Sequence, residues 1–225
     1  GHAIGLLGKH LIADALSLGN LLCGLGAIYM AQLGRLDLSL VFICLGAAFD
    51  GLDGAAARKF GSTRWGVYSD DIADAITYGI APGVIIMLHL NQFDAMLHGV
   101  NIDGVIIGSL YMVFTITRLI YFTLNKQGAD PGYFFGAPSV FGGIFVITSL
   151  IMLGSHYALI GLMVGVACVL MVSFDSRYRH LGRLIGDRKA VRCAGLVLVL
   201  LVVLLGFMNL TNIAIGLIFV ACLVY

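Results

Sequence analysis

The chain alternates long apolar runs with short polar punctuation. Runs near 18–34, 37–57, 66–90, 103–124, 137–154, 156–173, 191–208 and 210–225 approach the ~20 residues a helix needs to cross a ~30 Å hydrocarbon core. Lipid offers no hydrogen-bond partners to the backbone, so such runs must pair their own amides and carbonyls as helices. The pattern predicts an all-α fold, a polytopic transmembrane helical bundle of about eight spans. Ahead of the first run, residues 3–17 (AIGLLGKHLIADALS) mix apolar positions with Lys9, His10 and Asp14. That mixture predicts an amphipathic helix lying at the membrane interface, a frayed tail being the alternative. The chain therefore divides into an N-terminal interfacial helix, residues 1–17, and a transmembrane domain, residues 18–225.

Composition agrees with a lipid environment. Of 225 residues 60% are hydrophobic and 11% charged, with a mean hydropathy of +1.01, whereas soluble domains carry about 25% charged residues. The formal charge of +1 and the lack of a basic run exclude the electrostatic footprint of a nucleic-acid binder. Cys23, Cys44, Cys168, Cys193 and Cys222 are scattered, mostly in apolar runs, and read as small buried hydrophobes. The 30 glycines suit close helix contacts in lipid. Orientation follows from the cations. With the N-terminus inside, Lys9, Arg58, Lys59, Arg64, Lys126, Arg177, Arg179, Arg183, Arg188, Lys189 and Arg192 all fall on the cytoplasmic side. Arg35 alone falls outside, and Arg118 lies within a span.

All 12 acidic residues are aspartates, and five lie in the string AFDGLDGAAARKFGSTRWGVYSDDIADAITYG. Asp50 and Asp53 are three apart at the end of the second span; Asp70 and Asp74 are four apart at the start of the third. Those spacings put each pair on one helical face, at ends joined by a short loop, so four carboxylates can converge. Asp71 falls about 100° off the Asp70 face and is left out of the set. Charges at the edge of apolar spans are costly and mark function by default. Clustered carboxylates need a counter-charge, and all-oxygen ligands suit Mg²⁺ or Mn²⁺ rather than Zn²⁺ or Cu²⁺. The bland alternative is a set of helix-end aspartates meeting interfacial Lys and Arg. Small residues attend the cluster: Gly54, Ala57 and Gly66 leave room for a phosphate or flat group against backbone, and Arg58 could reach a carboxylate or phosphate oxygen.

The pattern D-x2-D-G-x2-A-R-x7-G-x3-D-x3-D, filled by Asp50, Asp53, Gly54, Ala57, Arg58, Gly66, Asp70 and Asp74, resembles the signature of the CDP-alcohol phosphotransferases, integral membrane enzymes of phospholipid synthesis. The Arg-to-Gly gap is one residue shorter than usual. The resemblance implies that Asp50, Asp53 and Asp70 hold two divalent cations, Mg²⁺ or Mn²⁺ with Ca²⁺ as a further option, which clamp the CDP pyrophosphate. It also implies that Asp74 shares in metal binding and acts as general base, the catalytic residue. Asp53, Gly54, Ala57, Arg58, Gly66 and Asp70 are the implied CDP-binding positions. A homodimer is implied as well.

Three further segments resemble the phosphatidylserine synthase branch. DAITYGIAPG is similar to its F-G-x-A-P, with Tyr78 standing for Phe beside Gly79, Ala81 and Pro82; YFFGAPSV is similar to F-x-G-x-P-S at Phe135, Gly136, Pro138 and Ser139; MVSFDSRYRH is similar to M-V-S-x-x-x-R-Y at Ser173, Arg177 and Tyr178. S-L-G-N, Ser17 to Asn20, opens the first span. Two departures stand out: where the branch carries R-L-A-R-F-N the chain has Arg118, Leu119, Ile120, Tyr121, Phe122 and Thr123, and Asp71 replaces a usual Ser. The implied substrates are CDP-diacylglycerol and L-serine, giving phosphatidylserine and CMP, at the cytoplasmic face of the inner (cytoplasmic) membrane. Transfer to glycerol 3-phosphate, an inositol phosphate or choline is the rival within the family, and a cation transporter is the rival outside it.

The remaining candidates have two readings each. Arg118, a cation inside a span, faces the serine carboxylate, a donor phosphate or an aspartate, or makes a structural pair with Asp50 or Asp70. Arg177 and Tyr178 contact acceptor or lipid phosphate, or Arg177 anchors the chain at the interface. Asn20 lines the site or caps a helix. Pro82 reads as a kink in the third span rather than a ligand.

Overall fold

The computed structural model describes residues 2–60, 64–93, 99–124, 133–135, 138–173, 177–179 and 211–224. Helices α1 (His2–Gln32) and α2 (Leu36–Phe60) form a hairpin. Its turn depends on Gly34, whose φ of 74° is open to glycine at little cost, and on an exposed ion pair of 3.0 Å between Arg35 and Asp37 in the first turn of α2. The segment expected as a separate interfacial helix, 1–17, and the first span are one continuous helix in the backbone from His2 onward.

The third span is built from three pieces: α3 (Arg64–Asp74), a π-helical stretch (Ala75–Ile80) and α4 (Ala81–Phe93). Pro82 explains the change of pitch. It has no N–H to offer the Tyr78 carbonyl four residues earlier, and at this point the Ala81 N–H reaches back five residues to the Ile76 carbonyl. The Tyr78 carbonyl is satisfied instead by the Tyr111 hydroxyl of α5 (Ile102–Leu124), which donates to it at 2.9 Å. The proline thus changes the pitch and, through the carbonyl it frees, ties two spans together.

The chain continues through α6 (Ser139–Leu153), α7 (Tyr157–Val172) and α8 (Thr211–Val224). α6 packs on α2, α4, α7 and α8, and α7 packs on α5. A two-stranded antiparallel ribbon, β1 (Tyr133–Phe135) with β2 (Arg177–Arg179), is the one addition to the all-helical expectation among the described residues. It pairs Phe135 with Arg177 and Phe134 with Tyr178, bringing together two segments singled out in the sequence.

The faces of α1 are those of a membrane helix. Ser17, Asn20, Cys23, Ala27 and Ala31 are buried, while Leu18, Leu22, Leu25 and Tyr29 are exposed. Polar and small groups thus face protein, and large apolar groups face outward, where lipid accommodates them. Asp14–Gln32, Tyr68–Phe93 and Ile102–Leu124 are long and apolar enough to cross a membrane; Ser139–Leu153, Tyr157–Val172 and Asn212–Cys222 are apolar but shorter. α2 carries Asp50, Asp53, Arg58 and Lys59, and the expected span 191–208 lies outside the described residues. The protein is an integral membrane helical bundle.

Glycines let α4 and α5 approach closely. A Cβ on Gly108 would stand 2.5 Å from the Gly83 carbonyl oxygen, and one on Gly83 would stand 2.8 Å from the Gly108 oxygen. Backbone cannot rotate aside as a side chain can. Gly108→Ala is therefore expected to separate α4 from α5 and destabilise the protein by about 1–3 kcal/mol. Thermal unfolding in detergent micelles checks this, and an unchanged midpoint would contradict it.

Candidate active site

The four-residue spacing of Asp70 and Asp74 places both on the face of α3 that packs on α1, and α2 presents Asp50 to the same volume. One carboxylate oxygen from each of Asp50, Asp70 and Asp74 lies within 4.8 Å of the other two, and all three residues are half-buried. Three like charges at such separations repel one another and require a cation or protons. A donor set made wholly of carboxylate oxygens fits a hard divalent cation. The residues present can therefore hold such an ion.

Asp53, expected as a fourth member, sits apart from these three. It is 5% exposed, and its carboxylate accepts a hydrogen bond from the Ser17 hydroxyl of α1. Asn20, one turn further along α1, donates from Nδ2 to Asp74 Oδ1 at 3.0 Å. α1 thus supplies one donor to a carboxylate on each of the neighbouring helices. Its position is fixed by Thr77, whose hydroxyl donates to the Asn20 carbonyl at 2.9 Å. Glycines permit this approach: a Cβ on Gly24 would meet Thr77 Oγ1 at 2.7 Å, and one on Gly46 would meet Asn20 Oδ1 at 2.9 Å. Asn20→Ala removes a hydrogen bond to a charged group, worth about 1.5–3 kcal/mol. For the transfer that the resemblance implies, the expected result is a kcat/KM roughly ten-fold lower or worse with the folded protein retained; unchanged kinetics would remove Asn20 from the site.

Arg118 is 4% exposed, its guanidinium 4.5 Å from the centre of the Phe122 ring. The negative charge of Asp74 acts on it. Asp71 faces elsewhere: its Oδ2 lies 3.2 Å from the Thr123 hydroxyl of α5, whose single proton is shared with the Leu119 carbonyl at 2.9 Å. Among the described residues, the carboxylates whose oxygens converge do not include Asp71.

Gly54 lies half-buried in α2 beside Asp53. Ala57 and Arg58 lie in the last part of α2 and Gly66 in the first turn of α3; their side-chain surroundings fall outside the described residues. The same holds for Arg177 and Tyr178 in β2. Ser17, Thr77 and the Tyr78 hydroxyl were given no role from the sequence. Ser17 opens the S-L-G-N segment and stands three residues before Asn20, the one signal that could have linked it to the cluster.

Comparison with known proteins bears on this arrangement. The family model described as CDP-alcohol phosphatidyltransferase matches residues 10–173. The chain is 24% identical over 155 residues to a CDP-diacylglycerol--serine O-phosphatidyltransferase of Helicobacter pylori, a match covering 68% of this chain and 62% of the relative. It is 29% identical over 133 residues to the protein of that name from Bacillus subtilis, covering 59% of this chain and 71% of the relative. An archaetidylserine synthase of Methanothermobacter thermautotrophicus is 28% identical over 166 residues, covering 72% of this chain and 67% of the relative. The matched region contains α2, α3 and every aspartate of the cluster, and the chain belongs to the CDP-alcohol phosphatidyltransferase family.

Proposed function

We propose that the chain transfers the phosphatidyl group of CDP-diacylglycerol to the hydroxyl of L-serine, giving phosphatidylserine and CMP. The observation that carries the reading is the convergence of Asp50, Asp70 and Asp74 within an apolar bundle, in a chain whose relatives are named for serine transfer. Asp50, Asp70 and Asp74, with Asp53 set apart against Ser17, are the residues that would hold two divalent cations, Mg²⁺ or Mn²⁺ with Ca²⁺ as a further option. Bound there, such cations supply positive charge to the pyrophosphate and to departing CMP. Gly54, Ala57, Arg58 and Gly66 flank the donor nucleotide, Arg58 as a charged partner for phosphate.

Asp74 takes the proton of the acceptor hydroxyl. The acceptor oxygen forms its bond to the phosphorus bearing diacylglycerol, the bond from that phosphorus to the CMP oxygen breaks, and CMP leaves with the electron pair. Asn20 orients the Asp74 carboxylate on one side, and Arg118 meets the acceptor carboxylate or a phosphate on the other. Arg177 and Tyr178, on the ribbon, contact acceptor or lipid phosphate. The distribution of cations supports a site at the cytoplasmic face of the inner membrane, with residues 1–17 at the interface. The homodimer remains a proposal on family resemblance.

An acceptor with its own phosphate calls for several cations, and among the described residues Arg118 is the buried one. The names of the relatives favour serine over glycerol 3-phosphate or an inositol phosphate; choline is the other rival. Family membership leaves the cation-transporter reading without support. The test offers labelled serine, glycerol 3-phosphate, inositol phosphate and choline separately to purified protein with CDP-diacylglycerol and Mn²⁺. CMP release with serine is expected, and release with another alcohol but not serine would overturn the acceptor assignment.

A further inference from the structure

Tyr78 has no solvent exposure, yet its hydroxyl has no hydrogen-bond partner. Buried polar atoms are rarely left so, and each exception calls for an explanation. The position of this one is informative. Tyr78 follows Asp74 by four residues and Asp70 by eight, one turn further into the span within the π-helical stretch. The ring lies against α6, where a Cβ on Gly143 would be 3.7 Å from Tyr78 Cδ1. The carboxylates whose charge bears on the hydroxyl include Asp50, Asp70 and Asp74, the three residues whose oxygens converge. A phenol beside three carboxylates offers its proton as a donor. No described side chain accepts it.

We infer that the Tyr78 hydroxyl is a positioning residue of the cation site, donating a hydrogen bond to the oxygen shell of the ion held by Asp50, Asp70 and Asp74. The recipient is a carboxylate oxygen reoriented by the ion or a water bound to it. This rests on the reading of the three aspartates as a cation site. Hydrogen bonds to ligating carboxylates fix their orientation, and losing one typically weakens metal affinity 10–100-fold.

The test is a Mn²⁺ titration by electron paramagnetic resonance on three proteins: the unaltered chain, Tyr78→Phe, and a chain carrying 4-aminophenylalanine at position 78, which restores a donor. The expected result is a Kd for Mn²⁺ about ten-fold weaker in Tyr78→Phe and largely recovered with the amino group. At saturating Mn²⁺ the KM for CDP-diacylglycerol and for serine should return to their unaltered values. An unchanged Mn²⁺ affinity in Tyr78→Phe overturns the inference. So does an increased serine KM that persists at saturating metal with metal affinity intact, which assigns the hydroxyl to the acceptor. If Tyr78→Phe fails to fold, the amino variant is decisive alone, since a fully metal-binding protein is expected of it and a metal-poor one contradicts. Asp50→Asn is the control for the underlying reading: should it too leave Mn²⁺ binding untouched, the cation site fails and not Tyr78 alone.

Discussion

Replacing Asp74 by Asn is expected to lower turnover by about 10²–10⁴-fold, the range a positioned general base contributes, while CDP-diacylglycerol still binds at raised Mn²⁺. Asparagine keeps the shape of the side chain and an oxygen able to accept from Asn20 Nδ2, which donates to Asp74 at 3.0 Å, so the α1 contact survives. The basic oxygen is what disappears. The positive charge of buried Arg118, on which Asp74 acts, is offset less in the variant, so donor phosphate is held at least as well as before. Single-turnover CMP release together with equilibrium binding of CDP-diacylglycerol separates the two effects. Retained turnover with intact binding would remove Asp74 from the base role.

The second large effect distinguishes two aspartates that look equivalent in sequence. Asp50→Asn removes one of the three converging carboxylates. It is expected to weaken Mn²⁺ binding by about a hundredfold or more and to abolish turnover at ordinary metal concentrations. Asp53→Asn is expected to weaken Mn²⁺ binding less, because the Asp53 carboxylate is held by Ser17 and stands outside the set of three. Competition titrations on the two variants check the order. Equal losses, or a larger loss at Asp53, would show that the cation draws Asp53 away from Ser17 and into the cluster.

The part of the site legible in the sequence is the part that helical periodicity controls. Spacings of three and four put Asp50 with Asp53 and Asp70 with Asp74 on shared faces, and the short connection between α2 and α3 allowed both faces to meet. Periodicity carries no information about the depth at which one helix slides past another. That depth is why Ser17 meets Asp53 and Asn20 meets Asp74, and it is set by Gly24 and Gly46, whose missing side chains let Thr77 and Asn20 close on their neighbours. Pro82 was readable as a kink; that the freed carbonyl is capped by Tyr111 of another span was not.

The two departures from the branch pattern at Asp71 and Thr123 looked unrelated, being 52 residues apart, and prove to be in contact. Arg118 was readable as a buried charge needing an anion, but substrate groups and several aspartates were on offer, and helical spacing does not choose among them. The β-ribbon escaped notice because three-residue strands leave no pattern.

The most direct measurement is anomalous diffraction from crystals soaked in Mn²⁺, with data collected near the manganese edge. A difference peak bounded by Asp50, Asp70 and Asp74, abolished in Asp50→Asn crystals, is the predicted result. Well-diffracting crystals with no anomalous density among those three carboxylates would contradict the account.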